Sequence, residues 1–173
     1  MREYKVESDF MYKGYRCVVV FQEMGHRCGY VGVEKGHSLY GKDYADYLDV
    51  KKSDLEGVEV GKRGVIPMLS ASFDEDDRVK LELYFNVHGG LTYASDGKGQ
   101  YPVESNLWWF GFDCAHWEDA YDLTLALEYF GDNPRIQSRI EIERQYPTIG
   151  EVRTKEYVEE ECKSLVNQII ELV

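Results

Sequence analysis

Hydrophobic and polar positions change period several times along this chain, and each change marks an element. Tyr15 to Gln22, YRCVVVFQ, is a short β-branched run that predicts a strand buried on both faces at Val18 to Val20. A turn over Met24 to Arg27 leads to a second strand at Gly29 to Val33, GYVGV. Val79 to Val87, VKLELYFNV, sets Val79, Leu81 and Leu83 against Lys80, Glu82 and Tyr84, and this alternation predicts a strand. It runs into His88-Gly89-Gly90, where paired glycines call for a sharp bend and a close approach of the chain to itself or to a ligand. Leu91 to Ala94 continues as a strand beyond the bend. Leu107 to Cys114, LWWFGFDC, predicts a further one, with Trp108 and Phe110 on one face and Trp109 on the other.

The period lengthens towards the C-terminus. Asp122 to Phe130 reads as a short helix, broken by Gly131, Asp132, Asn133 and Pro134. After Thr154, a natural N-cap, Val158, Cys162, Leu165, Ile169 and Leu172 recur every three or four residues and define one apolar helical stripe. Glu156, Glu159, Glu160 and Glu161 fall in the early turns of that helix, where its dipole tolerates negative charge. The order of elements predicts a single α+β domain over residues 1–173, mainly an antiparallel sheet packed by the C-terminal helix. Residues 51–78 form an excursion from it, containing the glycine- and charge-rich Glu56 to Gly64 and the acidic Phe73 to Asp77.

Composition narrows the range of functions. The chain carries 20 Lys and Arg against 32 Asp and Glu, a net charge of -12. A field of that sign repels phosphate backbones and disfavours nucleic-acid binding. It also suits an acidic surface that masks a basic host protein. Four scattered cysteines, Cys17, Cys28, Cys114 and Cys162, show no paired spacing and read as reduced thiols. With no apolar leader and no run of about 18 apolar residues, the expectation is a soluble cytoplasmic protein without membrane association.

Candidate chemistry gathers in three segments: Gly25 to Tyr44, His88 to Tyr93 and Trp108 to Asp119. The four histidines, His26, His37, His88 and His116, each sit near glycine, a carboxylate or an aromatic ring. Asp113, His116 and Asp119 are spaced by three, so a helical turn there would put them on one face, as a base with its orienting partner or as ligands of a divalent metal. The other reading is a polar corner in which Asp113 caps the following turn. Gly89 and Gly90 could free amides for a bound anion, with Thr92 adding a hydroxyl. Arg27 and His26 supply local positive charge. Gly36 and Gly41 bracket His37 and Tyr40 in a shaped loop. Trp109, with Tyr30, Tyr40, Tyr44 and Tyr93, offers aromatic surface for stacking.

The strings GYVGVEKGHSLYGKDY, VHGGLTY and WWFGFDCAHWED, followed by a helix opening at EYVEEEC, resemble a widespread family of small proteins encoded by phages, prophages and bacteria. Its pattern is similar to G-H-x-C-G-Y-V-x-V-P-x-G-H-P-x-Y-G, V-H-G-G-L-T-[FY] and W-W-F-G-F-D-C-A-H-x-x-D. Here Glu34 and Ser38 stand where the pattern has proline, which loosens the loop around His37, and the segment Lys51 to Phe73 is longer. The resemblance implies a shared site that includes His26, His37, His88, Asp113 and His116, and a place in the host cytoplasm for a phage-encoded member. It implies no activity.

Three functions follow as expectations. The first is a phage-type accessory protein that binds a small anionic, nucleotide-like ligand among these histidines, glycines and aromatics, as in counter-defence by sequestering a host immune signal. The second is a phosphodiesterase-like hydrolase using His88, Asp113 and His116, with or without a metal. The third is an acidic protein that covers a basic host partner.

Overall fold

A computed structural model describes residues 3–55, 73 and 75–173. Five strands form one antiparallel sheet: β1 (Tyr4–Tyr12), β2 (Tyr15–Gln22), β3 (Arg27–Val33), β6 (Tyr93–Asp96) and β7 (Trp108–Asp113), in the order β1-β2-β3-β7-β6. A two-stranded ribbon pairs β4 (Tyr47–Lys51) with β5 (Arg78–Lys80). Four α-helical segments complete the described chain: α1 (Leu81–Tyr84), α2 (Leu123–Phe130), α3 (Pro134–Gln145) and α4 (Lys155–Leu172). The fold is α+β, a mainly antiparallel sheet with the C-terminal helix packed on it.

The sheet is buried on both sides, and the pleat sorts its side chains. Cys17 and Val19 of β2, Val31 of β3, and Phe110 and Phe112 of β7 meet Val158, Cys162, Leu165 and Ile169 of α4 in the main core. Val18, Val20, Tyr30 and Trp109 face the other way, beneath Tyr93, Tyr101, Val103 and Leu107. Complete burial of each large apolar side chain contributes about 1.5–3 kcal/mol. Two glycines make the packing possible. A Cβ at Gly29 would collide with the Phe112 ring, and one at Gly111 would lie 2.5 Å from the Tyr30 ring.

The expected α4 stripe is observed, with Leu172 alone only partly buried. Thr154 caps the helix by accepting a hydrogen bond from the Tyr157 amide at 3.2 Å. Thr154→Ala is expected to lower unfolding free energy by about 1 kcal/mol, measured by urea denaturation.

One local reading needs revision, and two elements carried no local signal. Val79 to Val87 is not one strand. Pairing stops at Lys80, and the chain turns helical over Leu81–Tyr84, because the amides of Leu81 and Glu82 are captured by the carbonyls of Asp46 and Tyr44. Strand β1 was hidden by its polar composition; it is a sheet edge with a register shift between Val6 and Ser8. Helix α3 starts at the break that ends α2, with Asn133 capping the Arg135 and Ile136 amides and Pro134 in the first turn.

In the expected excursion, Lys51 pairs with Arg78, so the chain leaves and returns at one place on the β4–β5 ribbon. Glu56 to Gly64 lies outside the described residues. Among the described residues, no helix is long and apolar enough to cross a membrane.

Candidate functional site

The chemistry-bearing residues divide between a buried polar network and an open cleft, which share one end of the sheet. At that end Cys28 of β3 pairs with Asp113 of β7. The bend after Val87 passes alongside, with Gly89 at φ 68° and Gly90 at φ 84°, a left-handed backbone suited to glycine. A side chain at Gly89 would overlap the His116 ring, so the close approach made by this bend is of chain to chain.

His88 lies within the network and is 8% exposed. Its Nε2 is 2.7 Å from Oδ2 of Asp119, and its Nδ1 is 2.9 Å from the hydroxyl of Tyr157. The carboxylate can only accept, so the Nε2 proton points to Asp119, and in the neutral imidazole Nδ1 accepts from the Tyr157 hydroxyl. Burial, with Glu161 nearby, pushes the Tyr157 phenol up to about 12, which keeps it a donor. Oδ1 of Asp119 accepts from Nε of Arg153 at 2.8 Å, and its Oδ2 also accepts from the His116 amide at 2.9 Å. Burial raises the Asp119 pKa, but the bonds from His88, Arg153 and the His116 amide outweigh it and bring the group to about 2. Asp119 is therefore an ionised carboxylate, 1% exposed. Glu161 of α4 closes the network by accepting from the His88 amide at 2.9 Å.

Residues 113–119 do not form the helix that would align Asp113, His116 and Asp119. The strand ends at Asp113, and a turn follows over His116 to Asp119, closed by the Asp119 amide on the His116 carbonyl. Asp119 points inward, and His116 packs on Gly89 with its Nε2 3.5 Å from Oδ1 of Asp113. Asp113 is held by the Thr92 hydroxyl at 2.8 Å and the Ala115 amide at 3.2 Å. This is the capped polar corner. Among the described residues, no three His, Cys, Asp or Glu side chains are grouped to hold a metal ion.

Asp113 opens onto a cleft of about 810 Å³ that Thr92 and His26 also line. Its walls are phenolic: Tyr4, Tyr30, Tyr93 and Tyr101. The rings meet edge to face, with centroids 4.7 Å apart for Tyr4 and Tyr101 and 5.3 Å for Tyr30 and Tyr93. The hydroxyls of Tyr30 and Tyr101 are hydrogen-bonded to each other, and Gln22 donates to Tyr101 at 2.6 Å. Tyr4 donates to the Gln100 carbonyl at 2.9 Å. These bonds hold the loop between β6 and β7 over the sheet.

The other candidate residues lie elsewhere. Arg27 is not available to a ligand: it is buried against Glu7, 2.6 Å away, and donates to the Arg153 carbonyl. Trp109 is fully buried, its indole N–H donating to Ser105, so it has no face to stack on a ligand. Gly89 and Gly90 do not form an open anion nest, because the Gly90 amide donates to the Val87 carbonyl and Glu161 already occupies the His88 amide. His37 and Tyr40 do not close over the site. They follow Val33, which pairs with Trp108 five residues along the register from Cys28 and Asp113, about 17 Å away. There His37 accepts from the Leu39 amide and bonds to the Tyr15 hydroxyl, while Tyr40 leans on Trp108.

The sequence reading missed Tyr4, Tyr101, Arg153, Tyr157 and Glu161. Only Glu161 left a clear signal: it lies three residues after Val158 and four before Leu165, on the buried face of the stripe. A carboxylate at such a position implies a buried partner.

No protein-family model, curated protein or solved structure matches this chain.

Proposed function

We propose that the protein binds a small nucleotide-like ligand, with its base in the tyrosine-walled cleft and its hydrogen-bond donors on Asp113. Asp113 carries this reading. It is a carboxylate oriented by Thr92 and the Ala115 amide at the edge of an aromatic cleft. Phenolic walls favour a planar ring, and a fixed carboxylate favours an exocyclic amine or a ribose diol. His26 is the basic side chain lining the cleft, and no lysine or arginine joins it among the described residues. A phosphate group would therefore lie towards the mouth. The role that fits is sequestration, a binder withdrawing a nucleotide signal from a host.

The hydrolytic alternative needs His88, Asp113 and His116 on one substrate. Asp113 lines the cleft, whereas neither histidine does, and both nitrogens of His88 are engaged.

Calorimetric titration with adenosine, guanosine, cyclic nucleotides and ADP-ribose tests the proposal. Binding by at least one of them is expected, weakened about tenfold or more by Asp113→Asn, which keeps the shape and removes the charge. Silence across the panel, or equal affinity in the variant, would overturn it.

A further inference from the structure

The turn that buries Asp119 carries Trp117 on its outer side, and Trp117 is 91% exposed. A single exposed ring is ordinary, but exposed apolar residues gathered in one place mark interaction sites. Ile149, on the segment after α3, is 90% exposed, with Tyr146 and Val152 also at the surface. Backbone pairing brings the two segments together. The Glu151 amide donates to the Glu118 carbonyl at 3.0 Å, and the Ala120 amide to the Glu151 carbonyl at 2.9 Å. Asp119 and Glu151 form a parallel bridge, so Trp117 and Ile149 each lie two residues before their bridged residue. The fit is close, since a Cβ at Gly150 would lie 2.5 Å from the Glu118 carbonyl oxygen.

The patch rests on a rigid base. Arg153, immediately after Val152, donates to Asp119, and Asp119 also holds the His116 amide. A side chain presented on a braced turn loses little further freedom on binding.

We infer that the Trp117–Ile149 surface docks a basic protein partner that offers an apolar pocket for the indole, independently of any ligand in the cleft. Charge decides the kind of partner. Glu118 and Glu151 are both exposed beside the apolar pair, and the side chain of Glu151 is 83% exposed. The neighbouring cation, Arg153, is paired with Asp119 and Glu151. A second copy of the chain would bring the same glutamates and a net charge of -12 against their like. A lysine- or arginine-rimmed pocket matches both the ring and its border.

Titration of the whole protein with a synthetic amphipathic leucine-lysine peptide, and with its leucine-glutamate counterpart, tests this inference. The cationic peptide is expected to bind and shift the Trp117 emission to the blue. Trp117→Ser is expected to weaken it about tenfold or more, the effect of a central aromatic anchor. Glu118→Lys should weaken it and reduce its salt dependence. Both positions are exposed, so the fold and the cleft are expected to stay intact, which nucleoside titration of the same variants checks. The inference is overturned if the cationic peptide does not bind, or if it binds Trp117→Ser as tightly as the parent. Concentration-dependent dimerisation abolished by Trp117→Ser would also overturn it, by making this a contact between copies.

Discussion

Asp119→Ala is expected to lower unfolding free energy by about 3–5 kcal/mol, the largest effect of any polar substitution among the network residues. The carboxylate accepts from His88, Arg153 and the His116 amide while itself only 1% exposed. Removing it leaves the His88 imidazole N–H without its acceptor in a buried site and takes from the part-buried Arg153 guanidinium its closest carboxylate, a far larger penalty than the net value of any one bond. Urea denaturation with matched m-values measures it. Asp119→Asn should cost less, because the amide oxygen still accepts. The same group gives acid sensitivity. Its pKa falls from the ordinary 3.8 to about 2 in the folded protein, so the stability it contributes is fully present above about pH 4. That stability is lost as pH falls from there towards 2. A shift of this size corresponds to about 2 kcal/mol, and the Asp119→Asn variant should lack that component of the acid transition.

Gly89→Ala is expected to destabilise the protein by about 3 kcal/mol and to displace His116. Two effects combine at one methyl group. The φ of 68° costs an L-residue about 1–2 kcal/mol, and the methyl would enter space held by the His116 ring. The ring atom nearest that methyl is Nε2, which lies 3.5 Å from Oδ1 of Asp113, so displacing the ring alters that contact. A shift in the His116 imidazole resonances, with weaker ligand binding at Asp113, should accompany the loss of stability. Gly89→Ala in a His116→Ala background keeps the backbone strain but meets no imidazole ring, so the difference between the two backgrounds isolates the contact. Equal losses in both would show that backbone strain alone sets the cost.

Much of the fold was legible because it depends on local periods. Tyr15 to Gln22 and the aromatic run through Trp108 to Asp113 became strands where their β-branched and aromatic content placed them. The opposed directions of Trp109 and its neighbours followed from the pleat. Thr154 and the α4 stripe were readable because a cap and an apolar face both lie within a few turns of chain. Where competing contacts came from distant residues, the local signal failed. The alternation after Val79 was overruled by the carbonyls of Tyr44 and Asp46.

The candidate site shows the same division more sharply. Sequence by itself determined which segments are chemically dense, that Gly89 and Gly90 bend the chain tightly, and that Asp113 sits at a strand end. Only the tertiary structure decided what those residues face. His88 is locked between Asp119 and Tyr157, 31 and 69 residues away in the chain. Arg27 is claimed by Glu7, and His37 stands at the far end of the sheet from Asp113. The physical reason is the directionality of polar side chains. An apolar residue needs only a buried face, which its period reveals, whereas a histidine or carboxylate takes its role from the atoms that meet its own donors and acceptors, and long-range packing brings those atoms there.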